Sequence, residues 1–119
     1  MERHPGLKIC VSHGGGYLPS YAGRMDHAYH AREDVREGLP NPPTHYLKQF
    51  YFDTVVFEAD QLEFLIKKYG ADHILLGTDY PYDMGETDPI GLLKKVTNLS
   101  KEDFTKVRSG NAIELLNLK

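Results

Sequence analysis

The chain has 119 residues, room for one small domain and not for two. Apolar residues make up 40% and charged residues 26%, with 8 Tyr and 5 Phe, which excludes a disordered chain. The 17 acidic and 14 basic side chains leave a net charge of −3, so no basic footprint for nucleic acid or an anionic membrane is present. Met1 to Gly6 holds charges and a proline where a leader needs an apolar run, and Arg3 to Lys8 is expected to be the turn that follows an upstream helix. Leu7, Ile9 and Val11 alternate with Lys8, Cys10 and Ser12, a strand that stops at His13 and three glycines. Cys10 cannot form an internal disulfide, so a reducing, cytoplasmic setting is expected; inside a strand it reads as buried packing.

Tyr17 to Glu37 favours helix, with Pro19 and Gly23 expected to confine its regular part to the later half. Gly38 ends it, and Pro40, Pro42 and Pro43 form a rigid linker. A helical turn over Tyr46 to Phe50 leads into a second strand, Tyr51 to Val55. Leu62, Leu65, Ile66 and Tyr69 recur at helical spacing before Gly70. His73 to Gly77 is a third strand, so apolar that a sheet covered on both faces is expected. The loop Thr78 to Thr87 follows, then a helix capped by Asp88 with Pro89 in its first turn. Ser100 caps another helix, and Gly110-Asn111 precede a last one.

Strand and helix alternate, which implies parallel pairing with crossover helices and a site at the carboxyl ends of the strands. Three places qualify: His13 to Gly16, Asp53-Thr54, and Thr78 to Glu86. His13 would stand at the sheet's edge beside glycine backbone, fit to be a general acid, base or metal ligand. Taken alone it serves equally as a turn histidine bonded to a carbonyl. Asp79 holds the matching position after the third strand, suited to a cation or to orienting a proton-transfer partner, or simply to capping a turn. His27 and His30 share a helix face but lack a third ligand and read as solvated. Arg24 could grip a carboxylate, although arginine on a surface helix is ordinary.

In combination, Leu7 to Gly16, Leu18-Pro19, Gly23-Arg24, Phe52-Asp53, Ile74 to Pro81 and Gly110-Asn111-Ala112 closely resemble the C-terminal part of the amidohydrolase-related metal-dependent decarboxylases. The similarity runs in order over essentially the whole chain. It implies an α/β fold, the sixth to eighth strands and their helices of a metal-dependent-hydrolase (β/α)8 TIM barrel, with residues 1–119 as one partial barrel segment. His13 resembles the family's catalytic histidine and Asp79 its metal-binding aspartate, itself part of the catalytic set. Arg24 resembles the arginine that reaches the substrate carboxylate, in some members across a subunit interface.

The resemblance further implies a divalent metal, zinc most often, a small unsaturated or aromatic carboxylic acid as substrate, and a homo-oligomer. Gly77-Thr78-Asp79-Tyr80-Pro81 favours decarboxylase over the related hydratases and carbon–carbon hydrolases. A complete barrel needs about 250 residues. The family's other metal-ligand histidines lie on strands with no counterpart here, and a zinc site takes about three or four protein ligands. This chain alone is therefore expected to be inactive and to bind divalent metal weakly. The alternative is a non-catalytic α/β module that self-associates through its unpaired sheet edges.

Overall fold

In the computed structural model, residues 1–118 are described. The last position of the expected 1–119 segment lies outside the described residues. Three short strands, β1 (Cys10–Val11), β2 (Tyr51–Asp53) and β3 (Ile74–Leu75), form a parallel sheet in that order, with β2 in the centre. Cys10 lies opposite Tyr51 and Val11 opposite Phe52; across the next pair, Phe52 faces Ile74 and Asp53 faces Leu75.

Parallel neighbours need crossovers, and helices supply them. Between β1 and β2 run α1 (Leu18–Ala31), α2 (Glu33–Arg36) and α3 (Pro43–Leu47). Between β2 and β3 runs α4 (Ala59–Tyr69), and after β3 come α5 (Pro89–Lys94), α6 (Lys101–Thr105) and α7 (Asn111–Leu115). No described helix is long and apolar enough to cross a membrane.

Alternation along the strands sends Val11, Phe52 and Ile74 to one face. There Phe52 and Ile74, both 0% exposed, pack with Leu62 and Leu65 of α4, Leu92 and Leu93 of α5, and Val107. Each buried aliphatic or aromatic side chain contributes roughly 1.5–3 kcal/mol, so this cluster holds the helices to the sheet. The other face carries Cys10, Tyr51, Asp53 and Leu75, which are exposed or half-exposed and stand outside that core. This corrects two expectations: the sheet is covered on one face, and Cys10 is exposed. An apolar Ile74–Leu75 run gives no sign of which side lacks a partner.

α4 follows from its sequence: Leu62 and Leu65 face inward, Asp60 sits in the first turn, Lys67 and Lys68 in the last, and Gly70 ends the helix at φ 91°. The Lys68 ammonium donates to the carbonyl of Pro19 (2.6 Å), which ties α4 to α1. Asp88 accepts from the Gly91 amide (2.8 Å) and Ser100 from the Asp103 amide (3.0 Å), as the sequence predicts.

Four local expectations change. Pro19 lies in the first turn of α1, where its missing N–H has no intrahelical partner to lose, so the helix is regular from Leu18 onward. α1 ends before Gly38, because Arg32 turns extended and pairs with Asp34 through both guanidinium nitrogens (3.1 and 2.7 Å). The linker prolines include Pro43, which starts α3, so that helical turn begins before Tyr46. Gly110 keeps helical angles, and a π-helical segment over Lys106–Gly110 joins α6 to α7.

Asn111, 5% exposed, donates from Nδ2 to the carbonyls of Ala71 and Ile74, both at 2.7 Å. It pins the last helix to the start of β3. Asn111→Ala is expected to lower stability by about 1–3 kcal/mol, since buried carbonyls then lack their donor. The midpoint of urea unfolding measures this, and a variant within the error of the parent would show that water replaces the amide.

Candidate active site

The carboxyl ends of the three strands converge. β1 runs into Ser12 and a tight turn over His13–Gly15, and four consecutive residues, His13 to Gly16, have φ between 54° and 78°. Glycine adopts that region without strain, and histidine and aspartate tolerate it better than most side chains. At Gly15 space adds a second requirement, because a Cβ there would lie 2.7 Å from the Phe52 ring.

Asp79, four residues past β3, also has positive φ, at 60°. Its loop closes on itself through the Tyr82 amide to the Asp79 carbonyl (3.0 Å) and the Glu86 amide to the Thr78 carbonyl (2.8 Å). These two turns bring His13 Nε2 to 3.3 Å from Asp79 Oδ2. The imidazole is 60% exposed and the carboxylate 27%, so the pair sits at an open rim with the acid the better sheltered.

Asp53 and Thr54 lie between them at the end of β2. The Asp53 carboxylate accepts from the backbone amides of His13 (2.9 Å), Gly14 (2.7 Å) and Val55 (3.1 Å). Thr54, fully buried, accepts at Oγ1 from the Gly77 amide (3.1 Å) and joins β2 to the chain leaving β3. The sequence marks Asp53-Thr54 by position, and Asp53 also through the Phe52-Asp53 pair of the resemblance, but assigns neither a role. A carboxylate at a strand end just after an aromatic residue is the signal that singles out Asp53.

Of the residues singled out by sequence, His13 and Asp79 are brought together and Arg24 is not. His13 borders a cleft of about 270 Å³ with Pro19, Val56 and Phe64. Arg24 is exposed on α1 and lines a separate hollow of about 340 Å³ beside Tyr17, Tyr21 and Met25. Tyr17 and Tyr21 stack there with ring centroids 3.8 Å apart. His27 and His30 are exposed and belong to no cluster. The Cys10 thiol, on the free face of β1, is pushed up by desolvation and then by the charge of Asp53, so it is a poor nucleophile at neutral pH.

Among the described residues no group of three or more His, Cys, Asp and Glu side chains converges to hold a metal ion. Asp79, with His13 beside it, offers the start of a donor set. The residues of this chain by themselves do not fit a divalent-metal site, which takes about three or more protein ligands.

A family model described as amidohydrolase matches residues 1–118. The chain belongs to the amidohydrolase family. It is 37% identical over 120 residues to 2-amino-3-carboxymuconate-6-semialdehyde decarboxylase of Dictyostelium discoideum, covering 99% of this chain and 33% of that protein. Among solved structures it resembles dihydroxybenzoic acid decarboxylase from Polaromonas sp. JS666 with bound manganese and the inhibitor 2-nitroresorcinol. The TM-score there is 0.77 and the identity 30%, covering 98% of this chain and 36% of that one. 5-Carboxyvanillate decarboxylase from Sphingomonas paucimobilis shares the fold with a TM-score of 0.82 at 24% identity, over 99% of this chain and 36% of that one. This amidohydrolase chain thus spans about a third of the length of the relatives it matches.

Glycine substitutions separate strain from crowding in the His13 turn. Gly16→Ala meets nothing within 4 Å and has only its φ of 54° to oppose it, so a loss of about 1–2 kcal/mol is expected. Gly15→Ala adds the contact with Phe52 and is expected to cost roughly 1–3 kcal/mol more. Chemical denaturation of both variants checks the order, and equal losses would refute the crowding argument.

Proposed function

We propose that the chain is the C-terminal segment of a metal-dependent decarboxylase, contributing strands six to eight of a (β/α)8 barrel. The substrate is a small aromatic or unsaturated carboxylic acid. The observation that carries this reading is the His13–Asp79 pair, 3.3 Å apart at the carboxyl ends of β1 and β3. The matched relatives support it, since their names describe decarboxylases of carboxylic acids.

Decarboxylation replaces a carbon–carboxylate bond with a carbon–hydrogen bond. The site must hold the carboxylate, let carbon dioxide leave, and bring one proton to the carbon. His13, at the open rim, is the group on this chain that can carry that proton. Asp79, with Oδ2 3.3 Å from Nε2, sets the electrostatic surroundings of the imidazole and is the one carboxylate the segment would offer to a metal. A divalent ion, when bound, supplies Lewis-acid polarisation. The manganese of the Polaromonas structure supports a divalent ion, and the zinc reading stays within that class.

Arg24 would grip the substrate carboxylate through its planar fork. Its place in a separate, exposed hollow suits reach into the site of a second copy, so the working enzyme is read as a homo-oligomer. A reducing, cytoplasmic setting belongs to the same reading, supported by a single cysteine that has no internal disulfide partner in this chain. The isolated segment, lacking the remaining ligands, is inactive in this reading. The unpaired outer edges of β1 and β3 favour self-association as the second reading.

In a full-length barrel carrying this segment and supplied with manganese, His13→Ala and Asp79→Asn are each expected to lower kcat on a hydroxybenzoate roughly 10²–10⁴-fold. Carbon dioxide release measures the rate. Either variant keeping more than about a tenth of the parent kcat would remove that residue from the mechanism.

A further inference from the structure

His13 is the side chain on which the proposed chemistry turns, yet its own geometry needs explaining. It stands on backbone with φ 55°, followed by three glycines that are also at positive φ, and its ring is mostly exposed. With 60% of its side chain exposed, packing alone does little to fix where the imidazole points. A flexible turn of that composition would let the ring swing away from Asp79.

What holds the turn is a carboxylate on the neighbouring strand. Asp53 Oδ2 accepts from the His13 amide at 2.9 Å, and Oδ1 accepts from the Gly14 amide at 2.7 Å. Oδ1 also accepts from Val55 at 3.1 Å, which locks the carboxylate to its own strand end. The side chain has room to lie across the sheet because position 77 is glycine, whose added Cβ would come within 3.1 Å of Asp53 Cβ. Asp53 is also fixed by register, opposite Leu75 in the central strand. A charged acceptor strengthens N–H bonds over neutral ones, and here two of them act on consecutive residues of one turn.

We propose that Asp53 is a positioning residue for catalysis: its carboxylate clasps the backbone of His13 and Gly14 and thereby aims the His13 imidazole at Asp79. This rests on the reading of His13 as the proton-transfer group. Asp53 acts through His13, and its oxygens are engaged by backbone amides. Misplacement of a catalytic group by about 1 Å costs up to roughly a hundredfold in rate, which sets the scale of what loosening these bonds would do.

The two oxygens have different duties, and this makes an isosteric test available. In Asp53→Asn the single amide oxygen is expected to take the Oδ1 position, where two donors converge, leaving its NH2 group against the His13 N–H. The clasp on His13 is then lost selectively.

Amide hydrogen exchange, read by NMR on this chain, is expected to quicken at His13 by roughly tenfold or more and to change less at Gly14 and Val55. Asp53→Ala, if it folds, should quicken all three. In the full-length barrel loaded with manganese, Asp53→Asn is expected to lower kcat about ten- to a hundredfold. KM and metal content should stay within about twofold, a split that general unfolding would not give.

Unchanged exchange at His13 in Asp53→Asn overturns the clasp, and a parental kcat overturns the positioning role. His13→Ala provides the control on the underlying reading. If that variant keeps its kcat, the acid–base assignment of His13 fails and the catalytic role of Asp53 fails with it. The exchange data would still report on the clasp by itself.

Discussion

The end of β2 is where the structure is decided. Asp53 reaches one way to the turn after β1, and Thr54 reaches the other way to the chain leaving β3. Parallel strands of two or three residues make few ladder bonds of their own, so these side chains carry much of the order at the carboxyl edge. Behind them Phe52 and Ile74 anchor the sheet to α4 and α5 through a buried apolar cluster. The hydrophobic core fixes where the strands lie, and the polar ties fix where their loops go. Loops held this way can tolerate positive φ at His13 and Asp79, strain that a loose edge would relax.

The same sheet explains why a recognisable pair need not be a working site. One face is sealed by helices, while Cys10, Tyr51, Asp53 and Leu75 remain open to solvent on the other. His13 and Asp79 sit on the rim of that open face, with no third metal ligand among the described residues. Matched relatives about three times as long have further chain with which to cover such a face and complete such a rim. In the proposed reading the chemistry needs groups beyond His13 and Asp79.

Legibility in the sequence followed the range of each interaction. Helix caps at Asp88 and Ser100, the amphipathic stripe of α4 and the stop at Gly70 are local events, and the sequence predicts them in place. Pro19 misleads because a proline opens a helix as readily as it breaks one, and only the position of the first turn distinguishes the two. Gly110 misleads for a similar reason, since packing of Val107 and the Asn111 bonds carry the helix through it. The pairing of His13 with Asp79 was legible from two strand ends and a family resemblance. Asp53 as the partner of His13 was not, because its bonds span 40 residues and depend on strand order and register. The uncovered face was also invisible, since Ile74 and Leu75 look alike in sequence and differ only in what lies beside them.

The most direct test of the account is carbon dioxide release from a hydroxybenzoate by the 119-residue chain alone, supplied with manganese or zinc. A full-length barrel containing the segment is assayed beside it. The account predicts turnover by the barrel and none above background by the chain alone. Turnover by the chain within about tenfold of the barrel would contradict it, and would mean that His13 and Asp79 suffice without the rest of the rim.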